Sequence, residues 1–162
     1  MKRIFYWLYP LSWMGMIFYS SSTPYQEQDV KPFMNDYLDL SFMKPYLDWI
    51  VFTYHHQEVS VRNLGVEGFI EFFLRKGAHV TVFLILFFFL YIAISRTTSL
   101  TLKGNLLTSL IITGLYAAFD EIHQGFTPNR TPYIGDVGMD LFGALLGVCI
   151  ILIYKKKKKT PE

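Results

Sequence analysis

Four apolar stretches, each a candidate membrane crossing, constrain this chain more than any other feature. They are Ile4–Ser20, Ala78–Ser95, Leu106–Phe119 and Val137–Tyr154. A helix takes about 20 residues to cross a hydrocarbon core, so three are near full length and Leu106–Phe119 reads short. The only charge-bearing groups inside them are Asp140 and, when protonated, His79. The wider composition agrees, with 52% apolar residues and 17% charged, against roughly 25% charged in a soluble domain. An 18% aromatic content excludes a disordered chain. The single Cys149 excludes an internal disulfide and a thiolate metal cluster. Ile4–Ser20 also has the layout of a signal peptide, with Lys2-Arg3 before it and Ser20-Ser21-Ser22 after it. It lacks an Ala-x-Ala-like site, so it is read as a retained helix.

Charge sets the expected orientation. Lys2 and Arg3, the loop residues Arg96 and Lys103, and the run Lys155 to Lys159 fall at one side of the stretches. Twelve of the thirteen acids fall at the other. The chain is therefore expected to be an all-α, polytopic four-transmembrane-helix bundle with both termini cytoplasmic. As a single domain over 1–162, its spans lie at about 4–21, 76–95, 104–124 and 136–154, with an outer segment 22–75 and a lysine tail 155–162. The tail reads as an anchor for anionic lipid and not as a nucleic-acid patch. Prolines punctuate the outer segment, and Leu40, Met43, Leu47, Ile50, Val51 and Tyr54 recur at helical spacing. Two short amphipathic helices, about Phe33–Met43 and Pro45–His55, are expected there. His55 and His56 read as surface polar residues.

Depth arithmetic then gathers the ionisable groups. About 20 residues outward from Leu106 reach Gly125, which puts Asp120 and Glu121 about one turn inside the outer boundary. The same count places Asp136 at that boundary, with Asp140 and His79 about a turn deeper. Buried charges are expensive at such depths and face partners or cavities. On the fourth helix Asp136, Asp140, Gly143 and Gly147 form one stripe, with a small-xxx-small spacing suited to close helix contact. On the third, Gly114, Ala117, Ala118, Glu121 and Gln124 form a small-then-polar face with Asp120 to one side, and His123 reads as interfacial. On the second, Glu71, Arg75 and His79 share a face. Arg130 sits in a connection restricted by Pro128, Pro132 and Gly135, and is expected to bridge Glu121 or Asp120 to Asp136. The candidate substrate-binding set is Arg75, Lys76, His79, Asp120, Glu121, Gln124, Arg130, Asp136 and Asp140. No catalytic residue is assigned, the candidates being His79, Asp120 and Glu121. No metal-ligand spacing is present, so neither a metal nor another cofactor is expected.

Several of these residues resemble the VanZ-like family of small polytopic bacterial membrane proteins. The resemblance rests on Arg75-Lys76-Gly77-Ala78-His79, Asp120-Glu121-Ile122-His123-Gln124-Gly125-Phe126 and Pro128-Asn129-Arg130. Asp136-x-x-x-Asp140, Gly143-Ala144 and Gly147 complete it, beside a serine–proline exit at Ser20-Ser21-Ser22-Thr23-Pro24. Asn129 stands where the family often has glycine, a change that left-handed backbone tolerates. Val82 and Phe83 stand where members often carry an acid and a tyrosine, and asparagine is common at the place of Asp140. The resemblance implies a bacterial plasma-membrane protein of the cell envelope, and for the name-giving member an association with resistance to teicoplanin. The implied partners are membrane lipids and a lipid-linked cell-wall precursor or glycopeptide. Three readings follow. One is a binding site for such a headgroup. Another is a membrane-embedded hydrolase or transferase using His79, an acid and one of the serines, whose simpler role is helix-end capping. The last is a buried ionic network that only fixes packing.

Overall fold

The structure, a computed structural model, describes residues 2–159. Helix α1 (Leu8–Ser21) follows a 3-10 segment, Lys2–Trp7. Pro10 is tolerated because it lies in the first turn of α1, where its missing N–H has no helical acceptor. Next come α2 (Lys31–Tyr37), α3 (Lys44–Leu47) and the strands β1 (Phe52–Tyr54) and β2 (Gln57–Val59). The long helices α4 (Val61–Thr97), α5 (Leu102–Gln124) and α6 (Ile134–Lys159) complete the chain. Helices α4, α5 and α6 are long and apolar enough to cross a membrane. The segment that read as short, Leu106–Phe119, extends to 23 residues in α5 because Thr101 caps its start, accepting from Gly104 N at 3.2 Å. Helix α1 alone is about 21 Å long at 1.5 Å per residue.

The segment between α1 and α4 departs from expectation. The helix expected over Pro45–His55 stops at Leu47, and residues 52–59 form an antiparallel hairpin pairing Phe52 with Val59 and Tyr54 with Gln57. The run Val51-Phe52-Thr53-Tyr54 is β-branched and aromatic, which favours a pleated surface over a helix. His55 and His56 turn the hairpin at φ 48° and 61°, as a two-residue turn with both central residues left-handed requires. His55 stacks on Tyr133 with centroids 4.5 Å apart, so it is not free surface. Val59, Val61, Val66 and Phe69 bury a small core beneath the hairpin. Ser60 caps α4 through Asn63 N. Gly65, at φ 74° and ψ 172°, offsets that first turn from the long helix, in backbone space that is essentially glycine's.

Sorting in α5 is inverted relative to a water-soluble helix. Leu107, Ile111, Leu115, Phe119 and Ile122 form an exposed stripe, each at least half exposed, while Asn105, Ser109, Thr113, Asp120, Glu121 and Gln124 are buried. In water that arrangement would strand polar groups and solvate hydrocarbon; in lipid it is the favourable one. The buried hydroxyls are satisfied locally, Ser109 donating to Asn105 O at 2.7 Å and Thr113 to Ser109 O at 2.8 Å. Glycine brings α6 against α4: a Cβ on Gly143 would lie 2.2 Å from Val80 O, and one on Gly147 would lie 2.4 Å from the Phe87 ring. The expected small-residue stripe is thus the α4–α6 contact.

Candidate functional site

The charged residues assemble where α1, α4, α5 and α6 meet the Gly125–Tyr133 connection. Four groupings share this junction. On α4, Arg75 bonds Glu71 at 2.6 Å, and its guanidinium lies 4.1 Å from the centre of the Tyr25 ring. The Tyr25 hydroxyl donates back to Glu71 at 3.2 Å. Burial, and then the Glu71 carboxylate, push the Tyr25 phenol above its usual range. The next residue, Lys76, and the Tyr54 hydroxyl both bond Asp136. Burial, then that bond, raise the Tyr54 phenol strongly. Deeper still, His79 Nδ1 meets Asp140 Oδ1 at 3.1 Å.

The fourth grouping centres on Arg130 and corrects the sequence reading. Arg130 does not bridge Glu121 or Asp120 to Asp136. Its Nη1 donates to Gln124 Oε1 at 3.0 Å and its Nη2 to Gln28 Oε1 at 2.5 Å. Gln124 passes its own amide N–H to Asp120 Oδ2 at 2.8 Å, and Gln28 passes its to Ser20 O at 2.7 Å. Asp136 is already taken by Lys76 and Tyr54. Glu121 Oε1 accepts the backbone N–H of Tyr133, and its Oε2 is buried without a hydrogen-bond partner among the described residues. Asn129 takes the left-handed conformation at φ 61°, which turns the chain just before Arg130 and aims that side chain back into the junction. Burial, then repulsion from Arg75, hold the guanidinium below its usual range, yet an arginine stays protonated in such a site. Among the described residues it has no carboxylate in salt-bridge contact.

A cavity of about 270 Å³ opens beside this cation. Arg75, His79, Asp120, Arg130, Ser20 and Ser21 line it, together with apolar residues of α1 and α4. Asp120, which read as lying to one side of its helix, is 1% exposed. Its Oδ1 has no hydrogen-bond partner among the described residues, and neither has Arg130 Nε. The cavity thus joins a cation without a salt-bridge partner to a carboxylate oxygen with spare accepting capacity. Lys76 and Asp136 line a second cavity, under the hairpin with Tyr25, Lys31 and Tyr54. Glu121, Gln124 and Asp140 stand behind the walls as supports. His123 stacks on Phe18 with ring centroids 4.0 Å apart. Among the described residues no group of three or more histidine, cysteine or acidic side chains converges to hold a metal ion.

A family profile described as VanZ/LLP1 matches residues 5–155, nearly the whole chain. The chain belongs to the VanZ/LLP1 family. No curated protein and no solved structure matches it. The VanZ/LLP1 match spans both cavities and every residue placed at the junction. Three participants escaped the sequence reading: Gln28, Tyr25 and Tyr54. All lie in the segment between α1 and α4, where periodicity marks only Tyr54, and marks it as an apolar helix position. Their one legible signal is Pro24, whose extended φ −56° and ψ 150° direct the chain from the end of α1 back across the junction.

Proposed function

We propose that this VanZ-like protein sits in the bacterial plasma membrane and binds, at the outer leaflet, the anionic headgroup of a lipid-linked envelope precursor. The observation that carries this reading is Arg130, a half-buried cation on the cavity wall held by two neutral amides. A carboxylate partner would cancel its charge; glutamines fix its orientation and leave the charge for a ligand. Asp120 Oδ1 suits a donor beside that anion, such as the remaining P–OH of a phosphate monoester or a neighbouring hydroxyl. Four crossings and cytoplasmic termini go with this reading. The 3-10 segment Lys2–Trp7 adds about 12 Å to α1, giving that region a span's length, and the basic residues bracket one face.

Teicoplanin tolerance in a sensitive Gram-positive host is the cellular test. Expression of the chain should raise tolerance, with a smaller change for vancomycin, and Arg130→Gln should abolish the gain at equal membrane abundance. Undiminished tolerance in Arg130→Gln would refute the headgroup reading. A hydrolase or transferase reading draws on a different observation. The Asp140 contact fixes His79 through Nδ1, leaving Nε2 to serve as a base, and Ser20 and Ser21 line the same cavity. Release of inorganic phosphate from a lipid-linked substrate, lost in His79→Gln, would favour it.

A further inference from the structure

The polar cavity does not end at its apolar wall. A larger trough of about 900 Å³ runs along the other side of that wall, beneath the α2–β1 segment. Trp13, Ala78 and Val82 line both spaces. The trough is apolar from Leu47 and Phe69 at its roof to Ile85 at its deep end. Trp13 is the divider, and its Nε1 donates to Val82 O at 2.9 Å, which holds the indole across the junction. Gly77 lies in the trough floor, and a Cβ added there would meet nothing within 4 Å. A cation-bearing pocket and an apolar trough that share the wall of Trp13, Ala78 and Val82 match a molecule that is anionic at one end and hydrocarbon at the other.

We infer that the trough holds the hydrocarbon chain of a single-chain phosphate monoester whose phosphate occupies the Arg130 cavity. This rests on the headgroup reading above and adds the tail. The chain passes Trp13 at Ala78 and Val82, then follows α4 toward Ile85. A tail there packs against Phe73, Val82 and Ile85 in place of bilayer lipid, and the phosphate sets the register by meeting Arg130. A hydrocarbon without the phosphate would lose that register, and a phosphate without the tail would lose the apolar burial.

The test uses the full chain in phosphatidylcholine vesicles with dodecyl phosphate carrying a photoreactive diazirine at its tail end. Labelling is expected to be saturable and confined to peptides covering 69–85. Unlabelled dodecyl phosphate should displace it, and dodecanol or inorganic phosphate at the same concentration should not. Gly77→Leu, which fills the trough without a backbone clash, should cut labelling at least fivefold. Thr81→Trp, an exposed trough position, serves as the second block. Arg130→Gln should cut labelling similarly. If both trough variants label like the parent while Arg130→Gln does not, the headgroup site stands and the tail groove is wrong. If Arg130→Gln labels like the parent while Gly77→Leu does not, the headgroup reading falls and the trough is an unselective apolar groove. Displacement by inorganic phosphate as effective as by dodecyl phosphate would make the ligand free phosphate and overturn the proposal. Labelling spread evenly over the outer faces of α5 and α6 would reduce the trough to ordinary lipid contact.

Discussion

Replacing Gly143 by alanine should do more damage than its single methyl suggests. The added Cβ would lie 2.2 Å from Val80 O, 3.0 Å from Val80 C and 3.2 Å from Leu84 N, all backbone atoms of α4. Carbon contacts are comfortable only near 3.5–4.0 Å, so the two helices must part by about 1 Å. That separation reaches the site, because the same helix pair carries His79–Asp140 at 3.1 Å. A hydrogen bond stretched by about 1 Å is lost. Overpacking of this kind costs about 1–3 kcal/mol, or roughly 3–10 °C in the unfolding midpoint for a chain this size. Gly138 is the control, because a Cβ there meets nothing within 4 Å. Gly138→Ala should be neutral or stabilising by up to about 1 kcal/mol, since alanine is the better helix former. Thermal unfolding of detergent-solubilised protein compares the two. Equal midpoints would refute the close α4–α6 packing and the coupling of that contact to His79.

Two further predictions concern the charges. Glu121→Gln and Arg130→Gln should each lower stability through separate contacts, since the two residues share no hydrogen-bond partner; full recovery of stability in the double mutant would mean that they pair directly. Alkaline pH should unfold the protein through Tyr25 and Tyr54. Both phenols are raised above their ordinary value of 10.0, so the stability they contribute is complete below about pH 10 and lost as pH rises through their folded values. Midpoints measured from pH 8 to 12 should fall less steeply in the Tyr25→Phe, Tyr54→Phe double variant; identical slopes would remove the phenols as the cause.

The long helices were legible because lipid imposes a strong rule on length and charge, and depth along each helix followed from a fixed rise. That rule brought His79, Asp120, Asp136 and Asp140 to one junction from the chain alone. Pairing within the junction was not legible. Helical phase sets which face a residue occupies, but the partner depends on offsets of a few ångströms between helices. Asp136 therefore went to Lys76 and Tyr54, and Arg130 to two glutamines. The hairpin escaped for a related reason. Leu47, Ile50, Val51 and Tyr54 fit a helical period by accident over a short run, while β-branched and aromatic content decided the outcome.

The most direct test of a phosphate site at Arg130 is a titration of purified protein with dodecyl phosphate, followed by its phosphorus resonance. Wild type should bind saturably. Arg130→Gln removes a charge-assisted contact worth about 1.5–3 kcal/mol, so its affinity should fall at least tenfold, with Arg130→Lys recovering part of the loss. Equal affinity in wild type and Arg130→Gln would contradict the account.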